Sequence, residues 1–374
     1  MKHFEGSSSI HELGACLDEI GTKSVFLMTG RASYGLSGAQ ASVEGLLGGR
    51  EVVRFCDLQV NPLLGDVVNA CEQFREHGCD TIVAVGGGSV LDTAKAVSAL
   101  VESEEEPLAV LERRQPIAAS GPRVIAIPTT SGTGSEATHF ATVYHQGRKY
   151  SLADQRLVPW ARIIDADLMA SMSPTLTANT GLDCLTQAIE SMWSVKATEE
   201  SIACAREAMQ LAWTHLGDAV HHNTPAARIA MARAACLAGR AINISFTTAC
   251  HALSYFMTIE YGVDHGLAVS MTLPELLAYN AEVGEEDCLG DYERTTRLMN
   301  EICDFLGDGD PSRAAGNLRE FIASLGVPTR LSEVNIDSVE KRASLVESVN
   351  LERLANNPRR LDQASLFRII ESIA

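Results

Sequence analysis

The first half of the chain alternates short apolar runs with amphipathic segments, and this alternation restricts the fold more than any other feature. The strand-like runs lie at Ser24–Thr29, Glu51–Phe55, Thr81–Val85 and Val124–Ile127. The helical patterns between them lie at Ala39–Leu47, Leu63–His77 and Val90–Val101. Strands that alternate with helices form βαβ units with a mainly parallel sheet. The pattern of residues 138–165 predicts a short pair of strands and a connecting segment.

The pattern changes after Ser173-Pro174, where strand signals nearly vanish and Ala/Leu/Met-rich helical periods continue to the last residue. Gly, Pro and Asn interrupt these periods at 223–225, 262, 307–311, 326–328 and 356–358. A chain of 374 residues is longer than a domain with a single hydrophobic core usually is. We therefore expect two domains, residues 1–173 and residues 174–374. The apolar helix 226–242 is expected in the core, with a dimer interface as the alternative.

Two loops of small residues follow neighbouring strand patterns in the first domain. Glycines let a backbone approach a pyrophosphate, and a helix N-terminus offers free N–H groups. Open α/β sheets bind ligands at the carboxyl ends of their strands. Such turns also serve merely as tight bends, which is the alternative here. The candidate nucleotide-binding residues are Gly86, Gly87, Gly88, Ser89, Asp92, Thr129, Thr130, Thr133 and Ser135.

A polar pair lies within the otherwise apolar stretch Gly181–Ser194, which the pattern predicts to be the opening turns of a helix. Asp183 and Gln187 are four residues apart and share one helix face. A carboxylate in apolar surroundings needs a cation or becomes protonated. With His251 and His265 downstream, these side chains form a plausible divalent-metal set. The alternative is an Asp near a helix start, a surface Gln and two hydrogen-bonded core histidines.

Charge and composition argue against several functional classes. A formal net charge of −18 disfavours nucleic acid as a partner. No apolar run approaches the ~18–20 residues of a membrane span, and the N-terminus lacks a signal-peptide core. The ten cysteines contain no CxxC pair. We therefore expect reduced thiols, no membrane partner and a cytoplasmic location.

Four motifs in this order, GGGSVLDTAK, IPTTSGTGSEAT, GLDCLTQAIES and HALSY…DHG, resemble the iron-containing (group III) alcohol dehydrogenase family. The resemblance covers nearly the whole chain. It implies an α/β fold of the dehydroquinate synthase-like type, with an N-terminal Rossmann-like parallel-sheet domain and a C-terminal all-helical domain. A nicotinamide cofactor and a divalent metal, Fe²⁺ or Zn²⁺, would meet in a cleft between the domains. We also expect a homodimer.

Asp183, His251 and His265 match three of the four metal ligands of that family. The fourth is usually His and is Gln187 here, whose carbonyl oxygen is a weaker ligand for late first-row ions. Tyr255 stands where the family commonly has another His, and Phe256 replaces the usual Pro. Tyr255 is a candidate proton donor, with an aromatic wall of the pocket as the alternative.

The segments AIESMWSVKATEES and GRAINISFTTACHALSY most resemble the phosphonoacetaldehyde reductase subgroup, which reduces phosphonoacetaldehyde to 2-hydroxyethylphosphonate. A dianionic phosphonate needs nearby cations, and Lys149 and Arg240 are the candidates. Each is alternatively an ordinary surface cation. Three other functions stay open: a dehydrogenase of uncharged short aldehydes or diols, a dehydroquinate synthase-type lyase, and a non-catalytic nucleotide-binding protein.

The end of the first strand bears on the choice of cofactor. The resembled family often carries Asp there, which binds the ribose 2′-hydroxyl and repels a 2′-phosphate. Gly30 removes this repulsion, and Arg31 and Ser33 could bind a phosphate. We therefore predict a preference for NADPH, with NADH also usable. The alternative is that Gly30 only ends the strand.

Overall fold

The computed structural model describes residues 1–117, 120–349 and 354–374. The chain forms two compact units. The first comprises Met1–Met172 with Asn223–Gly239, and the second comprises Ser173–His222 with Arg240–Ala374. The assignment of residues 1–173 and 174–374 to separate functional domains stays a prediction.

The first unit contains the strands of the chain's described part. They are β1 (Lys2–Glu5), β2 (Ser24–Thr29), β3 (Glu51–Phe55), β4 (Thr81–Gly86), β5 (Arg123–Pro128), β6 (Phe140–His145), β7 (Arg148–Ala153) and β8 (Ala161–Ile164). Its helices are α1 (Glu12–Ile20), α2 (Ser33–Leu36), α3 (Ala39–Leu46), α4 (Leu64–Glu76), α5 (Gly88–Leu100) and α6 (Pro107–Leu111). Short 3₁₀ turns lie at Ser9–His11, Ser135–Ala137, Gln155–Leu157 and Ala166–Met169.

Six strands form a parallel sheet in the order β1-β8-β5-β4-β2-β3. The predicted parallel sheet is thus confirmed. The predicted strand pair is the separate antiparallel hairpin β6-β7. The sequence patterns predicted neither β1 nor the pairing of β8 with the main sheet. Both strands are only four residues long, too short for a clear periodic signal.

The sheet is covered on both faces, as buried parallel sheets are. Phe26, Met28 and Ile82 pack into one apolar cluster, with side chains of α4 and α5. The alternate residues Leu27 and Val83 pack into a second cluster, with side chains of α1 and α3. Because successive side chains of a strand point to opposite faces, continuous apolar runs were the correct signal for these strands.

The second unit is helical. Its helices are α7 (Pro174–Trp193), α8 (Glu199–His221), the last turns of α9 (Pro225–Ser245), α10 (Ala249–Tyr261), α11 (His265–Met271), α12 (Leu273–Ala281), α13 (Tyr292–Gly307), α14 (Pro311–Ser324), α15 (Val339–Glu347) and α16 (Gln363–Ser372). A 3₁₀ turn lies at Leu331–Val334. The residues of α9 up to Gly239 belong to the first unit.

Helix α7 begins about two turns before the predicted position. Gly181–Ser194 was expected to open the helix, but Ser173 is its N-cap and Pro174 its first residue. The Ser173 side chain accepts a hydrogen bond from the backbone N–H of Leu176, and proline fits the first helical turn. Gly181 lies inside the helix. A Cβ at this residue would overlap Leu216 of α8, so glycine allows close packing there.

Replacing Ser173 by alanine should lower the free energy of unfolding by about 1 kcal/mol, because it removes the side-chain acceptor of this cap. Urea unfolding followed by circular dichroism would measure the loss. Ser173→Asp keeps an acceptor and serves as the control. Equal stability of the alanine and aspartate variants would contradict the assigned cap.

No single helix in the described ranges is long and apolar enough to cross a membrane. Helices α9 and α10 meet the length and composition criteria only as a pair, which is bent by 108°. All ten cysteines lie in described residues, and no disulfide joins any two of them.

Candidate functional site

Three predicted metal ligands lie together in the second unit. Asp183 of α7, His251 of α10 and His265 of α11 each offer one ligand atom, and these atoms all lie within 4.8 Å of one another. Asp183 Oδ1 is 3.4 Å from His251 Nε2 and 3.9 Å from His265 Nε2. Asp183 and His251 are buried, whereas the His265 side chain is 35% exposed. The set can therefore be reached from one side.

Two buried oxygens of this site accept no hydrogen bond from any described residue. They are Asp183 Oδ1 and Gln187 Oε1. A buried acceptor without a donor is costly, and a cation removes that cost. Imidazole, carboxylate and amide oxygen together suit a first-row divalent ion. The residues present therefore fit a divalent metal, although ligation by Gln187 stays a prediction.

Helix α11 lies against α7 at unusually close range. A Cβ at Gly266 would overlap the carbonyl oxygen of Asn179 and lie 3.2 Å from Asp183 Cβ. Asn179 Nδ2 donates to Asp264 Oδ2 over 2.6 Å, directly before His265 in the chain. The close approach and the hydrogen bond together hold His265 beside Asp183.

Glu190 was missed by the sequence analysis. It is fully buried on α7, and its Oε2 lies 2.5 Å from His251 Nδ1. Its Oε1 accepts hydrogen bonds from Thr248 Oγ1 and from the backbone N–H of Cys250, both at 2.7 Å. A signal was present, because Glu190 follows Asp183 by seven residues and therefore lies on the same helix face.

Charges within the cluster shift the pKa values of its members away from what burial alone would give. When only the protein's own groups are considered, burial lowers the pKa of His251. The carboxylates of Glu190 and Asp183 have the larger, opposite effect and raise this pKa to about 10. Burial raises the pKa of Asp183, yet the adjacent His251 and the charge of His265 bring it below its usual value. The pKa of Glu190 is lowered through His251 in the same way. The cluster therefore favours charged carboxylates.

The three predicted substrate-contacting residues lie on different elements. Tyr255 is half-buried on α10, one turn after His251, and Arg240 is half-buried on α9. Lys149 lies on β7, opposite Tyr144 of the hairpin. Their roles stay predictions.

The two small-residue loops lie side by side in the first unit. They follow β4 and β5, whose last residues Gly86 and Pro128 are paired in the sheet. A Cβ at Gly87 would lie 3.3 Å from the Thr130 side chain. A Cβ at Gly88 would lie 2.7 Å from Thr133 Cγ2. A side chain at either glycine would therefore crowd the neighbouring loop, and α5 begins at this point, where a helix N-terminus presents N–H groups.

Asp92 and Ser135 connect these loops to each other. Ser135 Oγ donates to Asp92 Oδ1 over 2.5 Å, and Asp92 Oδ2 accepts from the backbone N–H of Thr142. Ser89 Oγ donates to the carbonyl of Val60. Because these polar groups already form hydrogen bonds within the protein, their role in nucleotide binding stays a prediction.

The predicted cofactor-selecting segment follows β2, next to β4 in the sheet. A Cβ at Gly30 would overlap Ser33 Oγ, so local packing is a second reason for glycine here. Arg31 forms an exposed ion pair with Asp57 at 2.6 Å. Such a pair is weak in water, and a role of Arg31 in binding a phosphate stays a prediction.

Comparison with known proteins identifies the family of this chain. The family model of the iron-containing alcohol dehydrogenases matches residues 2–166, and the model of the family's C-terminal part matches residues 177–374. A phosphonoacetaldehyde reductase from Streptomyces viridochromogenes is 38% identical over 326 residues, 83% of this chain and 80% of that protein. A probable alcohol dehydrogenase of Escherichia coli, EutG, is 35% identical over 83% of this chain and 76% of its own.

A solved structure of similar fold is the sulfoacetaldehyde reductase of Bifidobacterium kashiwanohense in complex with NAD⁺. It has a TM-score of 0.90 and 26% identity, and the match covers all of this chain and 97% of that one. With a buried Asp–His–His set and glycine loops at the ends of parallel strands, the chain belongs to the iron-containing alcohol dehydrogenase family, whose members are NAD(P)-dependent oxidoreductases of alcohols and aldehydes that bind a divalent metal.

Proposed function

We propose that this enzyme reduces phosphonoacetaldehyde to 2-hydroxyethylphosphonate with NADPH. The observation that carries the oxidoreductase part is the buried cluster of Asp183, His251 and His265, with two acceptor oxygens that lack donors. The choice of substrate is supported by the 38% identity to a phosphonoacetaldehyde reductase. The fold is also shared with a reductase of sulfoacetaldehyde, a two-carbon aldehyde with an anionic group of similar shape.

The reaction consumes the aldehyde, NADPH and one proton, and it yields the alcohol and NADP⁺. A bound divalent metal supplies a Lewis acid for the aldehyde oxygen, and the reduced nicotinamide supplies the hydride. Asp183, His251 and His265 would hold the metal, with Gln187 Oε1 as the candidate fourth ligand atom. Tyr255 Oη is the candidate donor of the proton to the product oxygen, and a role as an aromatic wall is the alternative.

Lys149 and Arg240 are proposed to recognise the phosphonate. A dianion in a pocket needs cations that form charge-assisted hydrogen bonds, and a guanidinium binds such groups with two parallel bonds. An enzyme for uncharged aldehydes has no such need. The similarity to the alcohol dehydrogenase EutG keeps uncharged short aldehydes as the second candidate substrates.

NADPH oxidation followed at equal concentrations of phosphonoacetaldehyde and propionaldehyde, with added Fe²⁺ or Zn²⁺, tests the proposed substrate. We expect kcat/KM to be at least about 100-fold higher for the phosphonate, which corresponds to about 2.7 kcal/mol. The variants Arg240→Gln and Lys149→Gln should raise KM for the phosphonate only. Equal kcat/KM for the two aldehydes would refute phosphonate specificity and favour the second candidate.

The variant Gly30→Asp should lower kcat/KM for NADPH by at least about tenfold and leave NADH little affected, because the new carboxylate repels the 2′-phosphate. Gly30→Ala adds the same Cβ beside Ser33 without the charge and therefore corrects for crowding. Steady-state kinetics with both cofactors measures the effect. An unaltered enzyme that uses NADH at least as efficiently as NADPH would refute the preference.

Two further expectations accompany this function. A homodimer is expected in solution, and sedimentation velocity would measure it. A cytoplasmic location is expected for an enzyme whose cysteines form no disulfide in the structure, and fractionation of the producing cells would test it.

A further inference from the structure

We propose that Glu190 is a positioning residue for the metal centre, which fixes the ring orientation and the protonated nitrogen of His251. This inference rests on the proposed metal-dependent function. Glu190 does not belong to the cluster of candidate ligand atoms, and its carboxylate faces the opposite edge of the His251 ring from Asp183. It would therefore act on a metal only through His251.

The hydrogen bonds determine which imidazole nitrogen carries the proton. Glu190 Oε2 lies 2.5 Å from His251 Nδ1, and a carboxylate accepts but does not donate. Nδ1 must therefore carry a proton, and in the neutral ring Nε2 then has the lone pair. Nε2 is the nitrogen that lies 3.4 Å from Asp183 Oδ1. Carboxylates that bind a ligating histidine in this way orient the ring and increase its basicity.

The second oxygen of Glu190 is also fixed, and this makes the carboxylate difficult to replace. The backbone N–H of Cys250 donates to Oε1 at 2.7 Å. Thr248 Oγ1 accepts a hydrogen bond from Trp193 Nε1, so its own proton is directed at Oε1, also at 2.7 Å. Two donors therefore face Oε1, and any group at this place must present an acceptor to them.

Glu190→Gln should consequently reverse the protonation of His251. The glutamine oxygen must face the two donors, so its NH₂ group faces Nδ1 and donates to it. The proton of the neutral ring then lies on Nε2, which has no lone pair for a metal. The side chain keeps its size, so the fold should persist. We expect Kd for Zn²⁺ to rise by about 10- to 100-fold, the usual effect of losing such a partner.

Zn²⁺ titration by isothermal calorimetry on the metal-stripped enzyme tests this prediction without a measurement of turnover. Glu136→Gln is the matched control, because Glu136 is another buried carboxylate but lies in the first unit, away from His251 in the chain. Its Kd for Zn²⁺ should equal that of the unaltered enzyme. An unchanged Kd for Glu190→Gln would overturn the proposal.

A second measurement uses the unaltered enzyme and does not depend on whether the variant folds. In Zn²⁺-loaded enzyme labelled with ¹⁵N-histidine, His251 should show a protonated, strongly hydrogen-bonded Nδ1 and a metal-bound Nε2. A His251 that binds Zn²⁺ through Nδ1 would overturn the proposal. If Asp183→Ala leaves Zn²⁺ affinity unchanged, the metal centre itself is wrong. If Zn²⁺ binding depends on Asp183 but not on Glu190, only the positioning role is wrong.

Discussion

Replacing Asp183 by alanine is expected to abolish metal binding and to lower kcat by about 1000-fold. The carboxylate is the one member of the cluster that faces both imidazoles, with 3.4 and 3.9 Å between the nearest atoms. Lewis-acid stabilisation of a developing charge is worth several kcal/mol, and about 4 kcal/mol corresponds to that loss of rate. Metal analysis of the purified protein and NADPH-oxidation kinetics would measure both effects.

Treating the unaltered enzyme with a chelator should give the same residual rate as Asp183→Ala, because both remove the metal. Glu301→Gln is a suitable control in the same unit. Its carboxylate forms a half-buried pair with Arg206 and does not belong to the candidate ligand cluster, so this variant should leave metal binding unchanged. Turnover that is unchanged in metal-stripped Asp183→Ala protein would refute the metal-dependent mechanism.

Much of this site could be predicted because its signals are local. Asp183 and Gln187 are one helical turn apart, and each glycine loop directly follows an apolar strand. Periodicity and turn chemistry therefore identify them without knowledge of the fold. The parallel sheet could be predicted for the same reason. Its strands Ser24–Thr29 and Thr81–Gly86 are buried throughout, and such strands appear in a sequence as continuous apolar runs.

The parts that could not be predicted depend on contacts distant in sequence. Glu190 has a recognisable spacing from Asp183, but its role depends on Thr248, Cys250 and His251, about 60 residues away. The bond between Ser135 and Asp92 spans 43 residues in the same way. Sequence shows that a buried carboxylate needs a partner, but only tertiary packing determines which one it finds.

The importance of Gly266 is visible only in the packing of the folded chain. Gly266→Ala should lower the free energy of unfolding by about 3 kcal/mol. The added Cβ would overlap the backbone oxygen of Asn179 and lie 2.6 Å from its carbonyl carbon. A helix backbone cannot rotate away as a side chain can, so α11 must move away from α7. Because His265 begins α11, Zn²⁺ affinity should fall together with stability.

Gly217→Ala gives a control in which the same change should have the opposite effect. Gly217 lies within α8, and a Cβ there meets no atom within 4 Å. Alanine is the better helix former by about 1 kcal/mol, so this variant should be more stable than the unaltered protein. Urea unfolding and Zn²⁺ titration of both variants would separate the two effects. If Gly266→Ala is also more stable than the unaltered protein, α11 does not lie against α7 as described. The contact described as holding His265 beside Asp183 would then be wrong.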